Sequence, residues 1–320
     1  MRPIPQELRT GPFTLERAKE LRITPRMLEG KRFVRLFPRV YRVAAYEMTD
    51  ADWVSAARLA LPEDAVPTGI TRIQMAGLDH GPLKPLRFVV ARDHHISFDG
   101  IFLHRTEKMP PTDAEGVVLA AAFIAYCARA RVIDAIKVGD WLLRNTEMTI
   151  GAVRDLALAQ LWRDGADEAI WILDHLDADA LSLPESETRA VLTFAGLPRP
   201  EVNRPLRLEE EVVVVPDLLY RDLGVIVEYE GGQHQEDREQ YSSDLARYAA
   251  FRRHDKRYVQ VTKEKLRLPT RLVGEVYREL LAAGYDGPPP QFGDTWRLLF
   301  FSVTTAVGPR RGPDAARAAG

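Results

Sequence analysis

Two apolar, β-branched runs, EVVVVPDLLY and GVIVEYE, flank Arg221-Asp222, and the second closes on Gly231-Gly232-Gln233-His234. Runs of that composition and length read as strands, and the polar pair between them as a turn. The expectation is a strand over 211–220, a strand over 224–230 and a glycine loop. Successive side chains alternate faces, so Glu228 and Glu230 share one side of the second strand, with Val227 and Tyr229 on the other. The turn brings Asp217 beside that pair. Three carboxylates so close repel one another unless solvent, a basic side chain or a metal ion stands between them. A solvent-facing acidic hairpin and a metal-holding hairpin both satisfy this spacing.

The flanks extend the pattern. Pro184 opens a helix with Glu185 and Glu187 near its start, where carboxylates suit the positive helix end. Gly196 ends it, and Pro198 and Pro200 bar its continuation. After the glycine loop a helix is expected over 237–254, its stripe being Tyr241, Leu245, Tyr248 and Ala249. A strand over 257–262 follows, with Lys263 and Lys265 just beyond, and a last helix ends near Gly284. Residues 285–320 begin with a proline run and finish in Ala/Gly/Arg-rich sequence. Within them WRLLFFSV is apolar enough to dock, on a target the sequence does not specify.

Composition removes several function classes. A hydrophobic share of 46% with 28% charged residues is that of an ordinary globular chain. The apolar stretch GVVLAAAFIAYCARA, from Gly116, is shorter than the ~20 residues of a membrane-spanning helix. MRPIPQELRT has no apolar core of a secretory signal. The single cysteine, Cys127, excludes a disulfide scaffold or a cysteine zinc site and fits a reducing cytoplasm. Its place inside an apolar helix suits a packed core thiol better than a nucleophile. A cytoplasmic protein with no membrane partner is expected.

The N-terminal region is different in charge. Residues 16–42 carry nine Lys/Arg against three Glu, a local +6 in a chain of net charge −2. Such a segment suits a polyanion contact, the alternative being a solvated helix face. Phe13, Thr14 and Leu15 lead into a short helix, Thr24-Pro25 is a helix start, and Gly30 a stop. RFVRLFPRVYRV then reads as a hairpin turning at Pro38. Helix, turn, helix and hairpin make a small winged helix-turn-helix over 1–45. Arg26, Lys31, Arg32, Arg35 and Arg39, on the second helix and the hairpin, are the candidate DNA contacts. Residues 46–180 form a mostly helical middle domain, with helices near 117–130, 132–145, 149–164 and 166–175. Two strands, 86–93 and 100–107, are joined by a polar segment holding His94 and His95. Adjacent residues on a strand point to opposite faces, so these histidines read as a hairpin tip rather than as metal ligands.

Pro216-Asp217, then Glu228-Tyr229-Glu230-Gly231-Gly232-Gln233-His234, resembles the signature of the very-short-patch-repair-like endonuclease domains. These belong to the restriction-endonuclease-like PD-(D/E)XK superfamily. Glu187-Thr188-Arg189 is similar to the family's opening helix, and Gln240, Tyr241, Asp244 and Arg247 to its later one. The resemblance spans 181–284. The front of the chain, FTLERAKELRITPRMLEG with VYR and then IDAIKVGDWLLRNTEMTIGAVRDL, resembles AbiEi-type antitoxins and winged-helix transcriptional regulators.

Together these resemblances imply an α/β chain: a winged helix-turn-helix (1–45), the helical middle domain (46–180), a restriction-endonuclease-like domain (181–284) and a proline-linked tail (285–320). They imply a metal-dependent endonuclease acting on DNA. Asp217, Glu228 and Glu230 would hold Mg²⁺ or Mn²⁺, Glu187 would support them, and His234 would assist proton transfer. The general nuclease pattern has lysine where Glu230 stands. That departure keeps a second expectation in view: a non-catalytic regulator or antitoxin, with a cognate toxin as partner.

Overall fold

A computed structural model of the chain describes residues 3–93, 96–208, 213–230, 254 and 256–308. The fold is of the α/β class, with helices between small sheets. The chain divides into two compact units, 1–125 and 126–320.

The first unit opens with β1 (Phe13–Thr14), α1 (Leu15–Glu20), α2 (Pro25–Leu28), β2 (Phe33–Phe37) and β3 (Val40–Val43). Thr14 and Thr24 cap the two helices by accepting backbone N–H bonds from Arg17 and Met27. The strands form an antiparallel sheet in the order β1-β3-β2. Leu8, Phe13, Ala18, Ile23, Leu28, Phe33 and Val43 make the core beneath it. The hairpin turn at Pro38-Arg39 holds Arg39 at φ 63°, and the register shifts between Arg35 and Phe37. That shift turns Phe37, with Val40, into a second core built on Leu86, Phe88 and Val90, while Phe33 stays in the first and Arg35 is exposed.

Next come α3 (Asp50–Ala60), β4 (Val66–Pro67), α4 (Gly69–Met75), β5 (Leu86–Val90) and β6 (Ile101–Arg105). Thr49 and Asp52 close α3 with a reciprocal capping box. Here the structure corrects the hairpin expected between the two strands. β5 and β6 pair in parallel, Leu86 opposite Ile101 through Val90 opposite Arg105. The connecting segment therefore returns along the sheet. Its apolar residues explain why: Ile96 and Phe98 pack against the core built on Leu86, Phe88 and Val90. His94 and His95 lie outside the described residues.

Helix α5 (Leu119–Cys127) crosses the division between the units. In the second unit α6 (Val132–Asn145), α7 (Ile150–Ala159), α8 (Ala166–Leu173) and α9 (Leu183–Phe194) follow. Cys127 is fully buried, and burial pushes its thiol well above the ordinary range, as befits an inert core residue. Helices α6 and α9 pack together and are crosslinked by charge. Arg189 donates to Asp140 at 2.7 Å, with side chains only 3% and 1% exposed. Asp140 also accepts the Asp177 backbone N–H at 2.7 Å. Arg189 of the Glu-Thr-Arg element is thus a structural residue.

A mixed sheet follows, in the order β12-β11-β10-β7: β7 is Glu201–Val202, β10 Leu218–Tyr220, β11 Val225–Tyr229 and β12 Arg257–Val261. A separate two-stranded ribbon pairs β8 (Leu206–Arg207) with β9 (Val213–Val214). The single strand expected over 211–220 is thus two strands in two sheets. Pro216 separates them, because it has no N–H to give to a ladder. Helix α9 packs against β11, and α11 (Pro269–Ala282) packs against β12 after the short α10 (Lys263–Leu266). The helix expected over 237–254 lies outside the described residues but for His254.

The WRLLFFSV stretch docks inside this unit. It forms α12 (Asp294–Leu298) and leads into α13 (Val303–Val307), with Trp296, Leu299 and Val303 buried. The carbonyls of Leu299 and Phe301 accept the N–H groups of Ile133 and Val132, both at 2.9 Å. These amides belong to the first turn of α6, where no intrahelical acceptor exists. Main-chain atoms from far along the sequence thereby cap α6.

Removing one partner of a buried ion pair leaves an uncompensated charge inside. Arg189→Met is expected to destabilise the second unit by about 3–5 kcal/mol, measured as a lowered urea midpoint. A change within ~0.5 kcal/mol, the surface-substitution range, would refute the structural role given to this pair.

Candidate functional site

Register places the acidic residues. β10 and β11 are antiparallel, with Leu218 opposite Val227, Leu219 opposite Ile226 and Tyr220 opposite Val225. Asp217 stands just before β10, one residue beyond the last pair of the ladder. The Tyr229 N–H donates to Asp217 Oδ2 at 2.8 Å, and the Asp217 carbonyl accepts the Asn203 N–H at 3.0 Å. β11 and β12 are parallel, with Glu228 beside Gln260 and Tyr229 beside Val261. Glu228 and Gln260 therefore stand side by side, and Asp217, bonded to the next residue of β11, completes the row.

The short 3-10 turn Arg221–Leu223 and Gly224, at φ 64°, make the reversal that sets this register. Glu228 is only 6% exposed. A carboxylate so buried requires compensating partners.

Glu230 lies at the strand end, on the same face as Glu228. Its N–H donates to the Val261 carbonyl at 2.8 Å. Its Oε1 accepts the Tyr258 hydroxyl at 3.1 Å, and its Oε2 accepts Gln260 Nε2. Glu187, on α9, accepts from Lys137 Nζ of α6 at 2.5 Å. Nearby Thr188 donates to the Pro184 carbonyl at 2.8 Å, and Glu185 accepts the Leu181 N–H and Asn203 Nδ2, so these two hold the helix start. Lys265 donates to the Gln260 carbonyl at 2.8 Å and to Glu275 at 2.7 Å, which commits it away from the acidic row. His234, Gln240, Tyr241, Asp244 and Arg247 lie outside the described residues.

Two participants escape a reading of the sequence alone. Gln260 is a polar residue in an otherwise ordinary strand, RYVQVT, and only the parallel register sets it beside Glu228. Lys137 sits three residues from both Asp134 and Asp140 on a largely buried helix. That charged i, i+3 spacing was its one available signal.

The row offers hard oxygen donors, the kind Mg²⁺ and Mn²⁺ take. Mg²⁺ needs only one or two carboxylates when waters and substrate phosphates complete its shell. Asp217 and Glu228 fit that requirement. Among the described residues no three His, Cys, Asp or Glu side chains form a ready metal-holding group. Both Glu230 oxygens are engaged by Tyr258 and Gln260.

In the first unit the basic residues are treated unequally. Arg39 pairs with Glu16 in the open, and that bond holds the Glu16 carboxyl below its ordinary range. Arg42 donates to the carbonyls of Val43, Ala44 and Tyr46, so it ties the end of the hairpin. Arg35 Nε reaches the Phe37 carbonyl at 3.4 Å. Arg26 and Lys31 are exposed, on α2 and just before β2, and the carbonyl of the adjacent Arg32 accepts the Ala44 N–H.

No protein-family model matches the chain, and no curated protein sequence matches it significantly. No helix among the described residues is long and apolar enough to cross a membrane.

A metal held by Asp217 and Glu228 stabilises the folded chain by mass action, about 2.7 kcal/mol at a hundredfold excess over Kd. Mn²⁺ is therefore expected to raise the melting temperature of the wild type but not of the Asp217→Ala/Glu228→Ala double variant. Equal shifts in both proteins would remove the metal site from this row.

Proposed function

We propose that the chain is a DNA-binding protein whose second unit carries a metal-dependent, endonuclease-like site that hydrolyses DNA phosphodiesters. The observation that supports it most is the Asp217 carboxylate bonded to the strand that carries Glu228, on a mixed sheet. The order around them agrees: α9 with Glu187, an antiparallel hairpin, then a strand parallel to β11. That order is compatible with the restriction-endonuclease-like reading.

In this reading Asp217 and Glu228 hold Mg²⁺ or Mn²⁺, and Glu187 and Glu230 shape the surrounding field. A divalent ion there supplies charge stabilisation at the phosphoryl oxygen and a lower pKa for bound water. His234 assists proton transfer. The first unit is read as a winged helix-turn-helix, from its capped helices and three-stranded sheet. Arg26, Lys31, Arg32, Arg35 and Arg39 contact backbone phosphates, and the exposed Glu16 yields Arg39 to that stronger anion. A cytoplasmic location belongs to the same proposal.

One observation favours a second reading. Glu230 stands where the nuclease pattern has lysine, and its carboxylate is spent on Tyr258 and Gln260. A site without turnover would leave an AbiEi-type regulator or antitoxin, the nuclease-like fold serving as scaffold for DNA or a cognate toxin.

Turnover separates the two. Asp217→Asn and Glu228→Gln keep size and lose charge, and each is expected to suppress Mg²⁺- or Mn²⁺-dependent nicking of supercoiled plasmid. A wild-type protein that cuts no DNA form with either metal would hand the assignment to the scaffold reading.

DNA contact is tested separately. Four or five phosphate contacts give a log–log salt slope of about −4 for binding by the full chain. The Arg32→Ala/Arg35→Ala/Arg39→Ala variant is expected to flatten that slope by up to ~3, one contact per arginine. An unchanged slope in gel shifts across several salt concentrations would confine these arginines to solvating the hairpin.

A further inference from the structure

Glu230 and Gln260 present a division of labour that differs from three equivalent carboxylates. Gln260 stands beside Glu228 in the parallel register and is exposed, so its side chain is accessible at the row. Its Nε2 donates to Glu230 Oε2, while Tyr258 donates to the other Glu230 oxygen. An amide has one donating end and one accepting end. Because a carboxylate can only accept from it, Glu230 decides which way the Gln260 amide is turned. The Oε1 of Gln260 then remains as the accepting end. Amide carbonyl oxygens are hard donors, suited to a divalent ion or to the water on one.

We propose that Gln260 is the third oxygen donor of the row and that Glu230 is its positioning residue, locked from behind by Tyr258. The proposal rests on the metal-site reading of Asp217 and Glu228. In it Glu230 gives up the place of metal ligand that spacing alone suggests. Its charge acts one step removed, by orienting a neutral amide. The arrangement also accounts for a third acid surviving at the strand end without a lysine.

The test is calorimetric titration of the full-length protein with MnCl₂ alone, which requires no turnover. Partners that orient a metal ligand are worth about 10–100-fold in affinity. Gln260→Leu is expected to weaken Mn²⁺ binding by that factor, with the metal-free melting temperature unchanged. Glu230→Leu is expected to weaken it comparably in the wild-type background and to add nothing in the Gln260→Leu background. Tyr258→Phe, which removes one hydroxyl, is expected to act in the same direction and more weakly.

A further loss on adding Glu230→Leu to Gln260→Leu would make Glu230 a ligand in its own right and overturn the proposal. Unchanged affinity in Gln260→Leu, with binding abolished by Asp217→Asn, would overturn it while leaving the metal site standing. A wild type that binds no Mn²⁺ would overturn both.

Discussion

Two opposite charges sealed inside the second unit, Arg189 and Asp140, fix the placement of the elements around them. Neither side chain reaches water appreciably, so each exists as a charge only because the other is there. Desolvation makes the pair an unreliable source of net stability. Its consequence is geometric: any other alignment of α6 and α9 strands an ion in the core. The second interhelical pair, Lys137 with Glu187, lies one turn away along α6 and reinforces the same alignment. With α9 fixed, the sheet it packs against is fixed too, and with it the row of Asp217, Glu228 and Gln260.

The row follows from backbone hydrogen bonding. A hairpin reversal through a short turn and a positive-φ glycine sets the register of β10 on β11, and it leaves Asp217 where its carboxylate accepts the Tyr229 N–H beside Glu228. Burial of Glu228 to 6% exposure raises the cost of leaving it uncompensated. The neighbouring acid meets its own requirement differently, through a phenol and an amide on the adjacent strand. Two carboxylates two residues apart thus occupy unlike environments.

Much of this was legible in the residues. Thr24-Pro25, the hairpin at Pro38 and the helix opening at Pro184 carry local chemistry that admits few alternatives, and each stands where it was expected. The same holds for the turn at Arg221-Asp222 and the shared face of Glu228 and Glu230. Pairing partners were not legible. Two nearby strands default to a hairpin, and nothing local in LRFVVARD or GIFLHRTE encodes that they run parallel. What favours it is the packing of the partly buried Ile96 and Phe98, from the connecting segment, against the core, a tertiary effect. Gln260 was missed for the same reason, since its role comes from a neighbouring strand. The docking site of WRLLFFSV was hidden because its contacts are carbonyl oxygens, which no side-chain pattern reports.

That last contact has a consequence for biosynthesis. The first turn of α6 leaves the ribosome early, yet its amides find their acceptors only when Leu299 and Phe301 have emerged. Val303, buried against the same region, arrives later still. The second unit therefore cannot finish its core until residues 299–303 have been made, and its nascent form must wait with an open helix end. A premature stop anywhere before the tail would release a chain missing its closing piece, even with every acidic residue of the row already in place. Quality control would meet such a product as an unfinished fold.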